Sequence, residues 1–531
     1  MSTYLALGRR RLRAAATYAA TLPPPVTLVT TADLPAPPGV TVRRVETPRA
    51  ARAFLAPGVF TGDCEALALA YRAGVATRLE PAPDPGRRTA PADLAVVTPW
   101  YPSPDDPFAG AFVAASAAAA GPYLGRVSIL HTQSWYYEPG RLAGQLTGVA
   151  AERQAARCGP AVVLDTPEGE LTRVAAPSPA GGDHLAYADA QTAALRASLP
   201  TGRIEAPVVH AHTGIMGGVV AARLARPDAR IVVTEHATFL DQVFARPGAK
   251  QRYERMLARA GLLLCVGRAL RDQLAREFPA HAGKLRIVPN AVDFDRFAVR
   301  PPPAEPLRWL YLGRLMAHKG VLTLVEAFAR VSATDPRLTL TLVGSGPAQD
   351  EVARRIAELG LDDRITVRPP VPPEEVTGLL HRHDLLVHAS RRETFGMTVV
   401  EAIATGTPVL VARSEGPAET LDGIGDLAGQ VFEPTEDPDV IAEAYHKLRA
   451  RFGELDLAGA RDALLARYGR EAVGARLHEA YTEEGAPAPV TVPEPPVPAA
   501  QRFAARFASP LPEALVRAAQ RAVRHYLRIP A

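Results

Sequence analysis

Short apolar runs recur through most of the chain and are separated by longer segments in which apolar residues return every third or fourth position. Continuous apolar runs bounded by turn residues are typical of strands buried on both faces, whereas the longer pattern is typical of helices that cover such strands. Strands that alternate with helices predict an open, mostly parallel sheet. The pattern therefore predicts the α/β class.

The densest candidate chemistry follows the apolar run Leu385–His388, which predicts a buried strand. Glu393 and Glu401 come next, with seven residues between them, and a helix is predicted to begin near Thr398. The backbone NH groups of Phe395–Met397 would then be free at the helix N-terminus and suit an anion. Two carboxylates beside an anion site suit a ligand that carries both phosphate and hydroxyl groups.

A second loop carries positive charge. Trp309–Leu312 predicts a strand, Gly313–Gly320 a turn, and Val321–Val331 a helix. Arg314 and Lys319 therefore follow the carboxyl end of a strand, where open α/β sheets bind ligands. Cations for a diphosphate and carboxylates for hydroxyl groups together predict a nucleotide-sugar site, although either loop alone would be interpreted as a solvated turn.

Composition narrows the class of protein. The chain has 531 residues, of which 47% are apolar, and a net charge of +4. A chain of this length is too long to fold around a single hydrophobic core, so two or three domains are expected. The small net charge predicts no nucleic-acid partner. The three cysteines, Cys64, Cys158 and Cys265, are too scattered for a disulfide framework or a metal site, which suits a reducing cytoplasm.

Targeting signals are not expected either. Arg9–Arg11 interrupt the N-terminal segment before an apolar stretch of signal-peptide length develops. No window offers about 20 uncharged apolar residues, so we expect no membrane-spanning helix.

Five motifs occur in an order that is typical of one family. They are Pro289–Asp293 with Phe297, Gly313–Leu315 with Lys319–Gly320, Leu342–Pro347, Glu393–Glu401, and Ala404–Val409. Together they resemble the motifs of the retaining glycosyltransferases of family 4. Five motifs in order are far more specific than a single glycine pattern.

The resemblance implies the GT-B fold, in which two Rossmann-like domains face each other across a cleft. On this basis we predict an N-terminal α/β appendage over 1–90, a first Rossmann-like domain on the acceptor side over 91–298, a second on the nucleotide-sugar side over 304–467, a crossover helix over 468–484, a proline-rich linker over 485–511 and a basic helical tail over 512–531.

The resemblance also implies roles for individual residues. The family transfers a sugar from a nucleotide diphosphate sugar to a hydroxyl acceptor, and we expect no cofactor and no metal. The candidate catalytic residues are His236, Arg314, Lys319 and Glu393. The candidate donor-binding residues are Gly110, Gly344, Gly346, Thr394, Phe395, Gly396, Met397 and Glu401.

Arg314 and Lys319 would neutralise the departing diphosphate. Glu393 would bind hydroxyl groups of the donor sugar, and Glu401 those of the ribose. His236 corresponds to the first-domain histidine that reaches the donor sugar in the family, whereas His212 has either a similar role or a role in the loop backbone.

Several alternatives stay open. Gly110 lets the backbone approach a phosphate or the acceptor, or it is a tight-turn glycine, and Gly344 and Gly346 have the same two interpretations. Pro369-Pro370 stands where the family has a glycine near the base, and proline removes NH donors, so base selectivity does not carry over. Thr394 replaces the more usual glycine beside Glu393, which is a milder change.

Asp293-Phe294-Asp295 has the form of a metal-binding Asp-x-Asp pair. It lies within the segment that leads from the first domain to the second. We therefore expect a hinge role for this segment and no bound metal.

The tail suggests a further contact. Residues 512–529 predict an amphipathic helix with an arginine-rich face, which can bind an anionic membrane surface or dock on protein. A cytoplasmic protein is expected, at the inner face of the membrane if the tail binds there.

The acceptor stays open among a polysaccharide, a glycolipid and a secondary metabolite. The alternative functions are a sugar phosphorylase or a nucleotide-sugar epimerase on the same fold, or a non-catalytic nucleotide-sugar binder.

Overall fold

The computed structural model describes residues 2–8, 12–22, 24–79, 92–103, 106, 108–159, 162–237 and 239–483. The predicted linker over 485–511 and the predicted basic helix over 512–531 lie outside these ranges. Within them, the strands form three sheets of four, eight and six strands. No helix in the described ranges has the length and apolar character that crossing a bilayer requires.

Residues 2–79 form an N-terminal unit around a parallel sheet with the strand order β3-β2-β1-β4. Its elements are β1 (Ser2–Ala6), α1 (Leu12–Thr21), β2 (Val26–Thr30), β3 (Val40–Arg44), β4 (Phe60–Thr61) and α2 (Cys64–Ala73). The apolar pattern from Cys64 to Leu79 predicts a single helix over that whole stretch. The helix ends earlier because Gly74 has a left-handed backbone, with φ of 70°, and its NH group caps the last turn.

The first domain, residues 92–287, surrounds the eight-stranded sheet. Its strands are β5 (Leu94–Thr98), β6 (Val127–Tyr137), β7 (Val162–Thr166), β8 (Gly169–Pro179), β9 (Val208–His212), β10 (Arg230–Glu235), β11 (Leu262–Cys265) and β12 (Leu285–Ile287). Its helices are α3 (Ala111–Ala120), α4 (Leu142–Cys158), α5 (His184–Ser198), α6 (Val219–Leu224), α7 (Leu240–Phe244), α8 (Ala249–Arg259) and α9 (Arg268–Glu277). The strand order is β12-β11-β10-β9-β5-β6-β8-β7, and β7 alone among these strands is antiparallel to its neighbour.

The second domain, residues 307–468, contains the six-stranded sheet. Its strands are β13 (Arg308–Leu312), β14 (Thr339–Val343), β15 (Ile365–Arg368), β16 (Leu385–His388), β17 (Val409–Ala412) and β18 (Gly429–Phe432). Its helices are α10 (Val321–Ser332), α11 (Gln349–Glu358), α12 (Val376–His381), α13 (Met397–Ala404), α14 (Glu415–Thr420), α15 (Gly425–Ala428), α16 (Pro438–Ala450) and α17 (Leu457–Tyr468). All strands are parallel, in the order β15-β14-β13-β16-β17-β18. This Rossmann order reverses between β13 and β16, and ligands bind at such a switch point.

A last helix, α18 (Arg470–Thr482), returns to the first domain and packs on α3. The contact is close, since a Cβ added to Gly474 would lie 2.2 Å from the Ala119 carbonyl oxygen. The predicted crossover helix began at Tyr468, but Tyr468 ends α17 and α18 begins two residues later. The Val292 NH group donates to the Tyr468 carbonyl oxygen at 2.8 Å, so the two segments that connect the domains run side by side.

The N-terminal unit packs against the first domain through an apolar cluster. The cluster comprises Cys64, Leu67, Leu79, Trp135, Ala151, Ala155 and Ala175. Polar contacts reinforce it, because the Gln154 side-chain amide donates to Thr77 Oγ1 at 3.0 Å and to the Val75 carbonyl oxygen at 3.1 Å. Residues 2–79 are therefore joined to the first domain by a buried interface.

Candidate functional site

The charged loops predicted from the sequence meet at the switch point of the second-domain sheet. Arg314 and Lys319 follow β13, Glu393 follows β16, and these strands are neighbours. The Tyr311 hydroxyl donates to the Arg314 carbonyl oxygen at 2.8 Å and so holds the first loop against its own strand.

Lys319 and Glu393 form an ion pair, with 2.7 Å between Lys319 Nζ and Glu393 Oε2. His388 Nε2 lies 3.6 Å from the same carboxylate oxygen. Burial raises the pKa of Glu393, but His388 and Lys319 outweigh burial and hold the pKa well below its usual range. Glu393 is therefore an anion at neutral pH and can accept hydrogen bonds from hydroxyl groups. Sequence reasoning missed His388, whose only signal was a polar residue at the end of a buried strand.

Two hydrogen-bond donor groups beside this pair, the Arg314 guanidinium and the N-terminus of α13, have no acceptor among the described residues. Among the described residues, no carboxylate or carbonyl oxygen accepts a hydrogen bond from the exposed Arg314 guanidinium. The backbone NH groups of Gly396, Met397 and Thr398, at the start of α13, likewise have no acceptor within the described part of the chain. Gly396 has φ of 89°, which turns the chain sharply into the helix. An arginine and a helix N-terminus together suit a phosphate group.

His236, from the first domain, lies across the cleft from these groups. Its ring packs 4.2 Å from the Phe112 ring, and its Nε2 atom lies 2.9 Å from His212 Nδ1. Burial lowers the pKa of His236 to about 3, with a smaller contribution from His210, so the imidazole is neutral at pH 7. Thr394 Oγ1 lies 3.5 Å from the His236 carbonyl oxygen, which brings the two domains into contact at the site.

His210 and His212 continue this cluster into the first domain. His210 Nε2 lies 2.7 Å from Thr234 Oγ1, and His210 Nδ1 lies 2.8 Å from the Tyr481 hydroxyl oxygen on α18. Burial is the main cause that lowers the pKa of both histidines. The rings of His210 and His212 pack with their centroids 4.4 Å apart, so ring packing and hydrogen bonds together link the loop that bears His236 to the crossover helix.

Glu235 precedes His236 and is completely buried. Its Oε1 atom accepts the backbone NH groups of His236 and Ala237, at 2.9 and 3.0 Å. Its Oε2 atom accepts the Gly214 NH group at 2.9 Å and the Tyr253 hydroxyl at 2.8 Å. Burial raises the pKa of Glu235, and these four donors oppose that effect. Sequence reasoning missed this arrangement, because two of the four donors, Gly214 and Tyr253, are distant from Glu235 along the chain.

The groups facing each other enclose a cleft of about 290 Å³. Eight predicted residues line it: His236, Arg314, Lys319, Glu393, Thr394, Phe395, Gly396 and Met397. Phe112, Asn290 and His388 also line it. The structure therefore brings all four candidate catalytic residues to one place.

The other predicted glycines lie outside this lining and fit backbone packing. A Cβ at Gly344 would lie 1.9 Å from the Gly313 carbonyl oxygen, and one at Gly346 would lie 2.3 Å from that of Leu315. Gly110 has φ of 66°, and a Cβ there would lie 2.2 Å from the Trp100 carbonyl oxygen. The geometry favours the turn-glycine interpretation for all three.

Glu401 lies on α13 outside the cleft lining and is half-buried. Burial raises the pKa of Glu401 to about 7, and Arg296 partly opposes this effect. The predicted contact of Glu401 with a ribose stays a prediction.

The Asp-x-Asp segment serves a different contact. Asp293 Oδ2 pairs with an Arg470 guanidinium nitrogen at 2.5 Å, which ties the interdomain segment to α18. In the described ranges, no three histidine, cysteine or acidic side chains are arranged to hold a metal ion.

The fold has counterparts among solved structures. Sucrose-phosphate synthase from Thermosynechococcus elongatus superposes with a TM-score of 0.55 over 73% of this chain and 98% of its own, at 19% identity. HepE from Anabaena, solved with UDP and glucose, superposes with a TM-score of 0.52 over 74% of this chain and all of its own, at 16% identity. The class is therefore GT-B, with two facing Rossmann-like domains, as the sequence predicted.

Family models match more than half of the chain. The model "Glycosyltransferase Family 4" matches residues 149–296, and "Glycosyl transferases group 1" matches residues 293–450. The chain belongs to family 4 of the glycosyltransferases, which confirms the resemblance seen in the sequence.

Individual relatives are more distant. A glycogen synthase of Mycobacterium tuberculosis is 29% identical over 262 residues, which are 46% of this chain and 63% of the relative. A D-inositol 3-phosphate glycosyltransferase of Nocardia farcinica is 30% identical over 258 residues, which are 45% of this chain and 53% of the relative. The chain thus spans less than two thirds of the length of either relative.

Proposed function

We propose that the protein is a retaining glycosyltransferase that moves a sugar from a nucleotide diphosphate sugar to a hydroxyl acceptor. The convergence of three features in one cleft carries this proposal. They are the Lys319–Glu393 ion pair, the Arg314 guanidinium and the NH groups at the start of α13, the last two without an acceptor among the described residues. They supply positive charge for a diphosphate and a carboxylate for sugar hydroxyl groups.

In the proposed reaction, the bond between the anomeric carbon and the diphosphate oxygen breaks. The acceptor oxygen bonds to the anomeric carbon on the same face, and the acceptor proton passes to the leaving diphosphate, so no enzyme nucleophile is required. Arg314, Lys319 and the N-terminus of α13 stabilise the charge on the leaving group. Contact between the domains excludes water that would otherwise hydrolyse the donor.

His236 and Glu393 would orient the donor sugar from opposite sides. The neutral imidazole of His236 offers a donor or an acceptor without repelling the cations across the cleft. The Glu393 carboxylate, oriented by Lys319, accepts from sugar hydroxyl groups. In this proposal, both domains contact the donor sugar, the first through His236 and the second through Glu393.

The acceptor class does not follow from the relatives, and a polysaccharide, a glycolipid and a secondary metabolite are each compatible. Membrane contact through residues 512–529 stays a prediction, because those residues lie outside the described ranges.

A screen of nucleotide sugars by thermal shift tests donor binding, starting with UDP-glucose, since a ligand that binds only the folded state raises the melting temperature. Turnover of the donor found is then compared between the wild type and Lys319→Ala. Loss of one such cation is expected to lower kcat by a factor of about 100 to 1,000.

Lys250→Ala is the matched control. Lys250 Nζ pairs with Glu277 at 2.7 Å, as Lys319 does with Glu393, but this pair lies on the first domain and outside the cleft. Wild-type turnover by Lys319→Ala would refute the proposed site. Conversion of the donor to an isomeric nucleotide sugar without any acceptor would indicate an epimerase, and a requirement for inorganic phosphate would indicate a phosphorylase.

A further inference from the structure

Two neighbouring first-domain loops present the histidines of the candidate site, and one buried carboxylate joins their backbones. The first loop follows β9 and begins at Thr213, and the second follows β10 and begins at His236. Glu235 accepts NH groups from both loops, one from Gly214 and two from His236 and Ala237. Side chains join the same loops a second time, through the 2.9 Å contact between His212 and His236.

The first loop is strained where Glu235 holds it. Thr213 has φ of 70°, and it is the one described residue other than glycine with a positive φ. A side chain with a Cβ rarely adopts this conformation, which persists only when the surroundings hold it. The peptide NH that follows, on Gly214, is one that Glu235 accepts. Residues 213–218 then form a single stretch of π-helix, an uncommon element that is frequent at functional sites.

The four donors saturate Glu235. Each carboxylate oxygen accepts two hydrogen bonds, and the side chain is completely buried and absent from the cleft lining. A carboxylate in this state has no lone pair left for a substrate. Its effect on the reaction must therefore pass through the loops that it holds.

We propose that Glu235 is a positioning residue, whose carboxylate holds the strained turn at Thr213 and the backbone of His236 in the arrangement that presents the His212–His236 pair to the donor sugar. This inference rests on the proposed transferase function. It adds to that function a residue that does not touch the substrate, together with the strained turn that this residue maintains.

Glu235→Gln tests the proposal, because the amide nitrogen that replaces one carboxylate oxygen would face NH or hydroxyl donors and could not accept from them. With the donor found by thermal shift, kcat is expected to fall at least tenfold. The affinity for the nucleoside diphosphate is expected to stay within about twofold, because its cations belong to the second domain. An unchanged kcat, or an equal loss of nucleotide affinity, would overturn the proposal.

Asp384→Asn is the matched control. Asp384 is also buried and accepts three hydrogen bonds from one residue, Arg308, at 2.6 to 3.0 Å. It precedes β16, at the end of the sheet opposite to the cleft. We expect this variant to lose thermal stability without the selective loss of kcat, and the same selective loss in both variants would refute a role specific to Glu235.

Rescue tests the strained turn directly. Glycine adopts a φ of 70° without strain. The double variant Glu235→Gln with Thr213→Gly is therefore expected to have a kcat at least threefold higher than that of Glu235→Gln alone. A double variant no faster than Glu235→Gln would show that Glu235 does not act through this turn. If Glu235→Gln does not fold, Tyr253→Phe removes one of the four donors and is expected to lower kcat in the same direction by a smaller factor, and an unchanged kcat in Tyr253→Phe would then count against the proposal.

A readout independent of turnover separates this inference from the proposed function. The ¹⁵N signals of histidine side chains report the hydrogen bond between His212 and His236. Those signals are expected to change in Glu235→Gln and to stay in place in Asp384→Asn. If the wild type binds no nucleotide sugar, the proposed function fails, while unchanged histidine signals in Glu235→Gln would refute the positioning role alone.

Discussion

Two glutamates in and beside the cleft differ in the direction in which burial and neighbouring charges shift their pKa. Glu393 is an anion because Lys319 and His388 outweigh burial, whereas burial dominates at Glu401, where Arg296 is the opposing charge. Eight positions separate the two carboxyl groups along the chain. Their similar appearance in the sequence therefore conceals opposite ionisation behaviour.

The raised pKa of Glu401 predicts a dependence of stability on pH. Its pKa rises from 4.5 to about 7 on folding, so the folded state favours the protonated form. Stability associated with this group is complete below pH 4.5 and is lost as pH rises through 7. Glu401→Gln imitates the protonated form and does not lose this stability. The melting temperature of Glu401→Gln minus that of the wild type should therefore be larger at pH 8 than at pH 5.

Glu443→Gln is the control, since Glu443 lies exposed on α16. We would measure the melting temperatures of the wild type and of both variants at pH 5 and at pH 8. A gain for Glu401→Gln that is the same at both pH values would contradict the assigned cause.

Sequence reasoning located the residues whose position follows from topology. Arg314, Lys319 and Glu393 follow strands that are neighbours at a switch point, so an open α/β sheet must bring them to one edge. Glu235 and Tyr253 were not predicted, because their roles depend on hydrogen bonds between parts of the chain that no local pattern relates. Pattern and motif identify the residues that line a site better than those that support it.

Among the elements, the loop after β13 packs against a glycine, Gly344, that directly follows β14. Gly344 has φ of 150°, and its missing side chain leaves room for the Gly313 carbonyl oxygen. Gly344→Ala must displace the loop that carries Arg314. We expect it to destabilise the protein by about 1 to 3 kcal/mol and to weaken nucleotide binding.

Gly360→Ala separates backbone strain from the steric clash. Gly360 has φ of 65°, and nothing lies within 4 Å of an added Cβ. It should lose some stability and keep nucleotide affinity, as measured by thermal melting and titration. Equal losses of affinity in both variants would show that the close approach at Gly313 does not matter for the site.

Element boundaries were predicted poorly where a glycine interrupts an apolar pattern, as Gly74 does at the end of α2, and where strand pairing decides them. The second-domain strands follow the apolar runs closely. The apolar runs Val127–Leu130 and Leu171–Val174 predict short strands. The structure has longer ones, because β6 and β8 pair in register from Ser128 to Tyr137 and extend each other into polar sequence. Strand length here is a property of the pair, which a single segment does not contain.

At the scale of the whole molecule, the domains are connected by the segments around Val292 and Tyr468 and by contacts across the cleft. A second cavity of about 330 Å³ lies between the domains and is lined by Arg268, Glu419 and Tyr468 among others. It shares Val266, Thr394 and Phe395 with the cleft, so these three residues lie between the two cavities. Movement of one domain would alter both spaces together.

One contact across this cavity caps a helix of the first domain from the second. α9 has no side-chain cap of its own, and Glu419 Oε2 accepts the Arg268 NH group at its start, at 2.6 Å. A carboxylate at a helix N-terminus typically contributes about 0.5 to 2 kcal/mol. Because cap and helix belong to different domains, this energy favours the closed arrangement of the domains.

Glu419→Ala should therefore open the cleft without unfolding either domain. The expected results are a larger radius of gyration in solution scattering and, with the donor found by the thermal-shift screen, more hydrolysis relative to transfer, because water enters the site. Asp437→Ala is the matched control, since Asp437 caps α16 within the second domain by accepting the Asp439 NH group at 3.0 Å. If both variants scatter alike and divide their products alike, helix capping and not contact between the domains accounts for the effect of Glu419.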